Sequence, residues 1–290
     1  KYFQCFRHNL PQKYLKHVHI VSKVLLNSIS CYNLHMKNDL NINNLSFYYD
    51  NTCVLEDISL AYCRNDFLAI IGPNGGGKST LLKLMIGLLS PSDGSVLLLE
   101  APPTQTNHRI AYVPQDTSAN RDFPIKVLDV VLMGRLSQSK AFSIYSKKDK
   151  EIARAMLEKV GMQNFENQKI HTLSGGQRQR VFVARALASE AEILFLDEPT
   201  ASIDTAGQLE IFTLLKRLNS EVGIVIISHD INVALNYATK VAYVNKTLYL
   251  HDVSQTTIAS FFTHPTTGHV CPVELISATR CNHLHPHKVL

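Results

Sequence analysis

The stretch Gly72-Pro73-Asn74-Gly75-Gly76-Gly77-Lys78-Ser79-Thr80 limits what this chain can fold into more than any other. It satisfies G-x-x-x-x-G-K-[ST] at every fixed position. The apolar run Phe67-Leu-Ala-Ile-Ile71 before it predicts a buried strand, and Leu81-Leu-Lys-Leu-Met-Ile86 after it repeats apolar residues at helical spacing. Strand, loop and helix in that order are the context a phosphate-binding loop requires. Glycines let the backbone curl with its N–H groups turned inward around phosphate oxygens, and the helix that follows adds the positive end of its dipole. Lys78 is placed to reach the β- and γ-phosphates of a nucleotide, and the Ser79 hydroxyl to ligate Mg²⁺. A glycine-rich turn that binds nothing is the bland alternative, and it leaves the flanking pattern unexplained.

A chain of 290 residues, 45% hydrophobic and 18% charged, can bury a full core as one large domain or two small ones. Its net charge of +5 is too small and too scattered to argue for nucleic acid, though it would suit an anionic membrane surface or a nucleotide. No apolar run approaches the ~18 residues of a membrane span, so any membrane role must come through a partner. The six cysteines share no short repeated spacing. Neither a disulfide framework nor a four-cysteine zinc site is expected, and a reducing compartment fits better.

Residues 1–35 show no clear period and no cleavage site, and the first methionine, Met36, stands just before an ordered pattern. They are expected to be a poorly ordered upstream extension. From Leu40 to Tyr49 the sequence alternates as a half-buried strand, and Asp50-Asn51 turns it into a second strand over Val54–Ala61. Arg64-Asn65-Asp66 predicts another turn, with Asn65 suited to the left-handed conformation. These strands predict an antiparallel sheet edge ahead of the loop. An aromatic at the end of its first strand can stack on an adenine ring, and Tyr49 is favoured over Tyr48. Arg109–Val113 is a short strand stopped by Pro114, which leaves Gln115 at its end, where an amide suits Mg²⁺ and the orienting of a water. Residues 121–172 read as a helical insertion, with helices over Val127–Met133 and Asp149–Val160.

The second decisive stretch is Leu173-Ser174-Gly175-Gly176-Gln177, running straight into a helical pattern. Ser174 is a plausible N-cap, and the two glycines expose backbone donors to an anion. Next, Ile193-Leu-Phe-Leu-Asp197-Glu198 is an apolar strand ending in two carboxylates, one able to hold Mg²⁺ and the other to act as a base toward water. Gly223-Ile-Val-Ile-Ile-Ser-His229 is a further buried strand with His229 at its carboxyl end, where it can donate to a γ-phosphate. A last hairpin is expected over Val241–Leu250.

This order of motifs resembles the nucleotide-binding subunit of ATP-binding cassette (ABC) transporters, from about Asp39 to Leu250. LSGGQ at 173–177 is the most specific element. The resemblance implies an α/β fold: a P-loop NTPase (RecA-like) core with an antiparallel β subdomain and an inserted α-helical subdomain. It also implies ATP hydrolysis by a head-to-tail homodimer that sandwiches two ATP molecules. One chain would contribute Gly72, Pro73, Asn74, Gly75, Gly76, Gly77, Lys78, Ser79 and Thr80, the other Ser174, Gly175, Gly176 and Gln177. Asp197, Ser79 and Gln115 would serve Mg²⁺, Glu198 would be the base, His229 would hold the γ-phosphate, and Asp204 would contact the opposite subunit. The dimer would drive integral-membrane permease subunits docked against the helical insertion, at the cytoplasmic face of the membrane and fed by a solute-binding protein.

Tyr112-Val-Pro-Gln115 and Phe123–Arg135 look like the importers of metal ions (zinc, manganese) or iron chelates. A soluble ABC protein of translation, DNA repair or iron–sulfur assembly is the alternative. Three departures from the common pattern are Gly76 where many members have Ala, Ile203 in place of Leu, and Asn65 in place of Gly. None removes a catalytic group. The tail over 251–290 crowds His251, His264, His269, Cys271, Cys281, His283, His285 and His287, which raises zinc sensing as a hypothesis.

Overall fold

The computed structural model describes residues 38–115, 124–136, 145–201 and 203–253. The extension expected over 1–35, residues 137–144 of the expected insertion and the tail beyond Val253 lie outside these residues. In chain order the first elements are β1 (Leu40–Tyr49), β2 (Thr52–Tyr62), β3 (Phe67–Ile71), α1 (Lys78–Met85), β4 (Asp93–Leu98), α2 (Pro103–Thr106) and β5 (Ile110–Val113). Then come α3 (Val127–Leu132), α4 (Lys147–Lys159), α5 (Gly175–Ala188), β6 (Ile193–Asp197), α6 (Thr205–Leu218), β7 (Gly223–Ile227), α7 (Ile231–Tyr237), β8 (Lys240–Asn245) and β9 (Thr247–Asp252). The final hairpin thus runs to Asp252, two residues past the boundary expected at 250.

Two sheets organise the chain. Strands β2-β1-β4 make a three-stranded antiparallel sheet. Simple alternation along β1 would break after Ile42. Asn44, at φ 45, inserts a bulge that resets the phase, so Leu45 and Phe47 join Leu40 and Ile42 on the buried face. The second sheet has the order β5-β6-β7-β3-β8-β9, parallel through β8 and closed at one edge by antiparallel β9. Its inner strands β3, β6 and β7 are buried at every residue, which is why they read as unbroken apolar runs.

Successive residues of these strands serve two cores. On one face Leu194 and Leu196 pack with Val131, Val183, Phe212 and Leu215; on the other Ile193 and Phe195 pack with Leu81, Met85, Leu55 and Phe47. The first face carries the three helices that lie between β5 and β6 in the chain and pack on one another: α3 and α4, which fall within the stretch expected as an insertion over 121–172, and α5, which lies beyond it. Arg135 bolts that insertion together from inside. Its buried guanidinium meets Asp149 at 3.1 Å, Glu190 at 3.0 Å and the Ala188 carbonyl at 2.8 Å, joining the segment after α3 to the start of α4 and the end of α5.

The turn after β2 corrects one expectation. Asp66 N–H donates to the Cys63 carbonyl at 2.9 Å, and Asn65 is not among the residues with positive φ. A turn closed this way needs no left-handed residue. Arg64 is held instead by Asp39 at 2.6 Å and Glu192 at 2.7 Å, tying the antiparallel sheet to the parallel one.

Candidate functional site

The parallel strands deliver their carboxyl ends to one edge, and the site is built there. β3 runs out at Ile71 into the glycine loop, whose Gly76 N–H turns back to the Pro73 carbonyl at 3.1 Å before α1 begins at Lys78. Lys78 is buried and arches over its own loop, its Nζ donating to the carbonyls of Gly72 at 3.1 Å and Pro73 at 2.9 Å. The lysine is therefore folded back onto two carbonyls of its own loop. Gly77, the N-cap of α1, makes no side-chain cap bond. The first N–H groups of that helix are left to the loop's own concavity.

The loop has little room behind it. A Cβ on Gly72 would sit 2.0 Å from the Val244 carbonyl oxygen of β8, and one on Gly76 2.8 Å from the same atom. Glycine at 76, where the resembled family often has Ala, is what this close approach calls for.

Beside the loop, β6 ends in Asp197, whose Oδ1 accepts from Ser79 Oγ at 3.4 Å. Tyr112 on β5 adds a second hydroxyl donor to that carboxylate. The register explains why: Tyr112 is paired with Phe195, two residues before Asp197 and on the same face. Burial pushes the Asp197 carboxyl above its ordinary value and the Glu198 charge adds to the rise, while Ser79, Lys83 and Tyr112 pull it back. Two hard oxygen donors, the Ser79 hydroxyl and the Asp197 carboxylate, thus meet beside the loop, a donor set that fits Mg²⁺.

Glu198 follows with φ 46, a left-handed backbone that a non-glycine residue adopts only under constraint. Its N–H is pinned to the Ile227 carbonyl of β7 at 3.2 Å. The carboxylate it presents accepts from Gln115 Nε2 at 2.7 Å and lies 3.9 Å from His229 Nδ1. Gln115 thus meets Glu198, and the described contacts do not bring it to Ser79. His229 is more than half exposed, and its backbone is set by Ser228, a buried hydroxyl that accepts from Asp230 N–H at 3.1 Å across it.

Tyr49, the last residue of β1, is exposed. Its ring meets Phe47 edge-on at 4.9 Å, Phe47 is paired with Leu55, and Leu55 Cδ2 stands 2.7 Å from where a Cβ on Gly77 would be.

The second motif sits elsewhere. Ser174 caps α5 in a full capping box, accepting from Gln177 N–H at 3.3 Å while Gln177 Oε1 accepts from Ser174 N–H at 3.0 Å. With Gly175 and Gly176 these residues line a cavity of about 590 Å³, whose far wall is Asp204 and Gly207. Asp204 caps α6, accepting from Gly207 N–H at 3.2 Å. No residue of the phosphate loop lines that cavity.

Sequence reasoning missed Tyr112, Ser228 and Arg135. Tyr112 had a signal, an aromatic two residues before a strand-stopping proline, but its meaning depends on which strand lies alongside.

A parallel sheet whose central strand opens into a lysine-bearing glycine loop, with β7 between it and the strand ending in Asp197 and Glu198, defines a P-loop nucleotide hydrolase. The helix start at Ser174 and the insertion that carries it narrow the class further. The chain belongs to the ABC transporter family, whose model matches residues 55–201. It is similar to a metal transport system ATP-binding protein of Chlamydia pneumoniae, 45% identical over 73% of this chain and 87% of that protein. The manganese transport system ATP-binding protein of Listeria innocua is 42% identical over 73% of this chain and 89% of its own length. The zinc transport system ATP-binding protein of Treponema pallidum is 40% identical over 70% and 77%. Among solved structures, a metal-chelate type ABC transporter in an inward-facing conformation aligns with TM-score 0.68 and 31% identity over 75% of this chain and 84% of that one. A dimeric ATP-binding cassette in a post-hydrolysis state with ADP and phosphate aligns with TM-score 0.63 and 26% identity over 74% and 98%. The chain is an ATP-binding, ATP-hydrolysing subunit of a transport complex, working with membrane permease subunits. Among the described residues no helix is long and apolar enough to cross a membrane.

Proposed function

We propose that this subunit powers an importer of a divalent metal ion or a metal chelate. Two copies, head to tail, close on two ATP molecules at the cytoplasmic face of the membrane, and a solute-binding protein delivers the cargo to the permease. The observation that carries the hydrolytic part is the single cluster in which Glu198 touches Gln115 at 2.7 Å and stands 3.9 Å from His229, next to the Ser79–Asp197 pair at 3.4 Å. The cargo class is supported by the manganese, zinc and metal-chelate systems it is similar to.

Lys78 and the loop N–H groups hold the β- and γ-phosphates, and Tyr49 stacks on the base. Ser79 and Asp197, with Gln115, would hold Mg²⁺, which when bound neutralises charge on the phosphates. Glu198 takes the proton of the attacking water, with Gln115 and His229 keeping that water and the γ-phosphate in line. In the same picture the partner copy brings Ser174, Gly176 and Gln177 to the γ-phosphate, and Asp204 meets the opposite subunit.

Glu198→Gln keeps the shape and the bond to Gln115 while removing the base. It should lower kcat by about 10²–10⁴-fold and leave ATP binding and ATP-dependent dimers intact. Unaltered hydrolysis would reject the assignment. For the cargo, the assembled transporter in vesicles should take up manganese or zinc only with ATP; equal uptake with Glu198→Gln would remove the transport reading.

A further inference from the structure

The phosphate loop is gripped from behind by one residue from the far end of the described chain. Strands β8 and β9 are joined by Lys246 alone, and this residue has φ 60, a left-handed conformation that lysine enters only at a cost. Its N–H donates to the Gly76 carbonyl at 3.1 Å, and its carbonyl accepts from Glu56 N–H on β2 at 2.9 Å. Lys246 is therefore a two-sided backbone bridge. On one side is the loop that holds phosphates. On the other is the hairpin β1–β2, whose Leu55 presses on Gly77 and whose Phe47 and Tyr49 rings meet edge-on. The two contacts need only a peptide N–H, a carbonyl and a positive φ. Nothing in them calls on the lysine side chain.

We propose that Lys246 is a positioning residue whose left-handed backbone fixes the spacing between the Tyr49 platform and the phosphate loop, so that base and phosphates of ATP are seated together. The proposal rests on the nucleotide reading above and adds a residue that lies outside every motif. Glycine and asparagine enter the left-handed region readily, whereas a β-branched residue resists it. Valine at 246 would swing the peptide out of register and release the bond to Gly76.

The test is ATP hydrolysis by the full chain carrying Lys246→Gly, Lys246→Asn or Lys246→Val, each with Tyr49 and with Tyr49→Ala. The Gly and Asn variants should keep KM within about twofold of the parent, and Val should raise it about fivefold or more, the worth of one backbone hydrogen bond. For the Val variant kcat should stay within about twofold, since Glu198, Gln115 and His229 are untouched. In the Tyr49→Ala background the Val change should add little, because spacing has no meaning once the platform is gone. A wild-type KM for Lys246→Val overturns the proposal, as does full additivity with Tyr49→Ala. A kcat loss as large as the KM change would mean a merely loosened fold and overturn it too. If Tyr49→Ala alone leaves KM unchanged, the fault lies in the platform reading, and the spacing claim falls with it.

Discussion

Two alanine substitutions three residues apart in the phosphate loop should behave very differently, and the structure says by how much. At Gly72 the backbone has φ 150, and an added Cβ would lie 2.0 Å from the Val244 carbonyl oxygen, where real Cβ contacts essentially never fall below 3.0 Å. The clash is between two backbones, so neither can swing aside. The conformation itself costs on the order of 1–3 kcal/mol for a residue with a side chain, and forcing β8 away from the loop costs a similar amount again. The total is about 2–6 kcal/mol. At Gly75 the φ is 76 and nothing lies within 4 Å of the added Cβ. Only left-handed strain remains, roughly 1–2 kcal/mol, partly offset by about 0.4–1 kcal/mol from a stiffer unfolded chain. The net cost at Gly75 is then about 1 kcal/mol or less by the same reasoning. Urea unfolding of the nucleotide-free full chain, followed by circular dichroism because the chain has no tryptophan, measures both. Measuring without ligand keeps phosphate contacts out of the comparison. If Gly72→Ala falls within about 1 kcal/mol of Gly75→Ala, β8 is not pressed against the loop and the packing argument fails.

Arg135→Met should destabilise the chain in the same unfolding assay, because it removes the donor to Asp149 Oδ1 and to the Ala188 carbonyl, although Asp149 Oδ2 keeps its bonds from Ser146; unchanged stability would mean the buried bolt contributes little. Ser228→Ala frees the backbone at His229 and should lower kcat about tenfold with KM for ATP unchanged, while Ser228→Thr restores the rate; equal losses from both variants would rule out the hydroxyl as the cause. For Glu192, the hydrogen bond from Arg109 is the largest influence and holds the carboxyl below its ordinary value; burial opposes it, and the hydrogen bond from Arg64 and the charges of both arginines add to the lowering. A depressed folded pKa gives stability that is complete above the unfolded value of about 4.3 and fades as pH falls through the folded one. Glu192→Gln should therefore destabilise the chain at pH 7 and match the wild type in strong acid. A difference that persists undiminished at pH 2 would contradict this.

The sequence was most legible where local pattern and chemistry coincide. The buried strands β3, β6 and β7, the loop at 72–80 and the N-cap at Ser174 each need only neighbours within a few residues, so spacing alone announces them. What stayed hidden depends on contacts across the fold. The hydroxyl of Tyr112 gains its role from pairing with β6, more than eighty positions later, and the demand for glycine at 76 comes from Val244. The expectation for Asn65 failed for a related reason. A turn-forming composition does not choose among turn types, and here the turn closed from Asp66 to Cys63 keeps Asn65 out of the left-handed region.

That Lys78 and Ser174 belong to separate parts of one chain has a genetic consequence. In the head-to-tail pair proposed above, each pocket would draw its lysine from one copy and its serine from the other. A chain ruined at Lys78 and a chain ruined at Ser174, each inert alone, would regain turnover when mixed, since their hybrid concentrates both lesions in one pocket and leaves its twin whole.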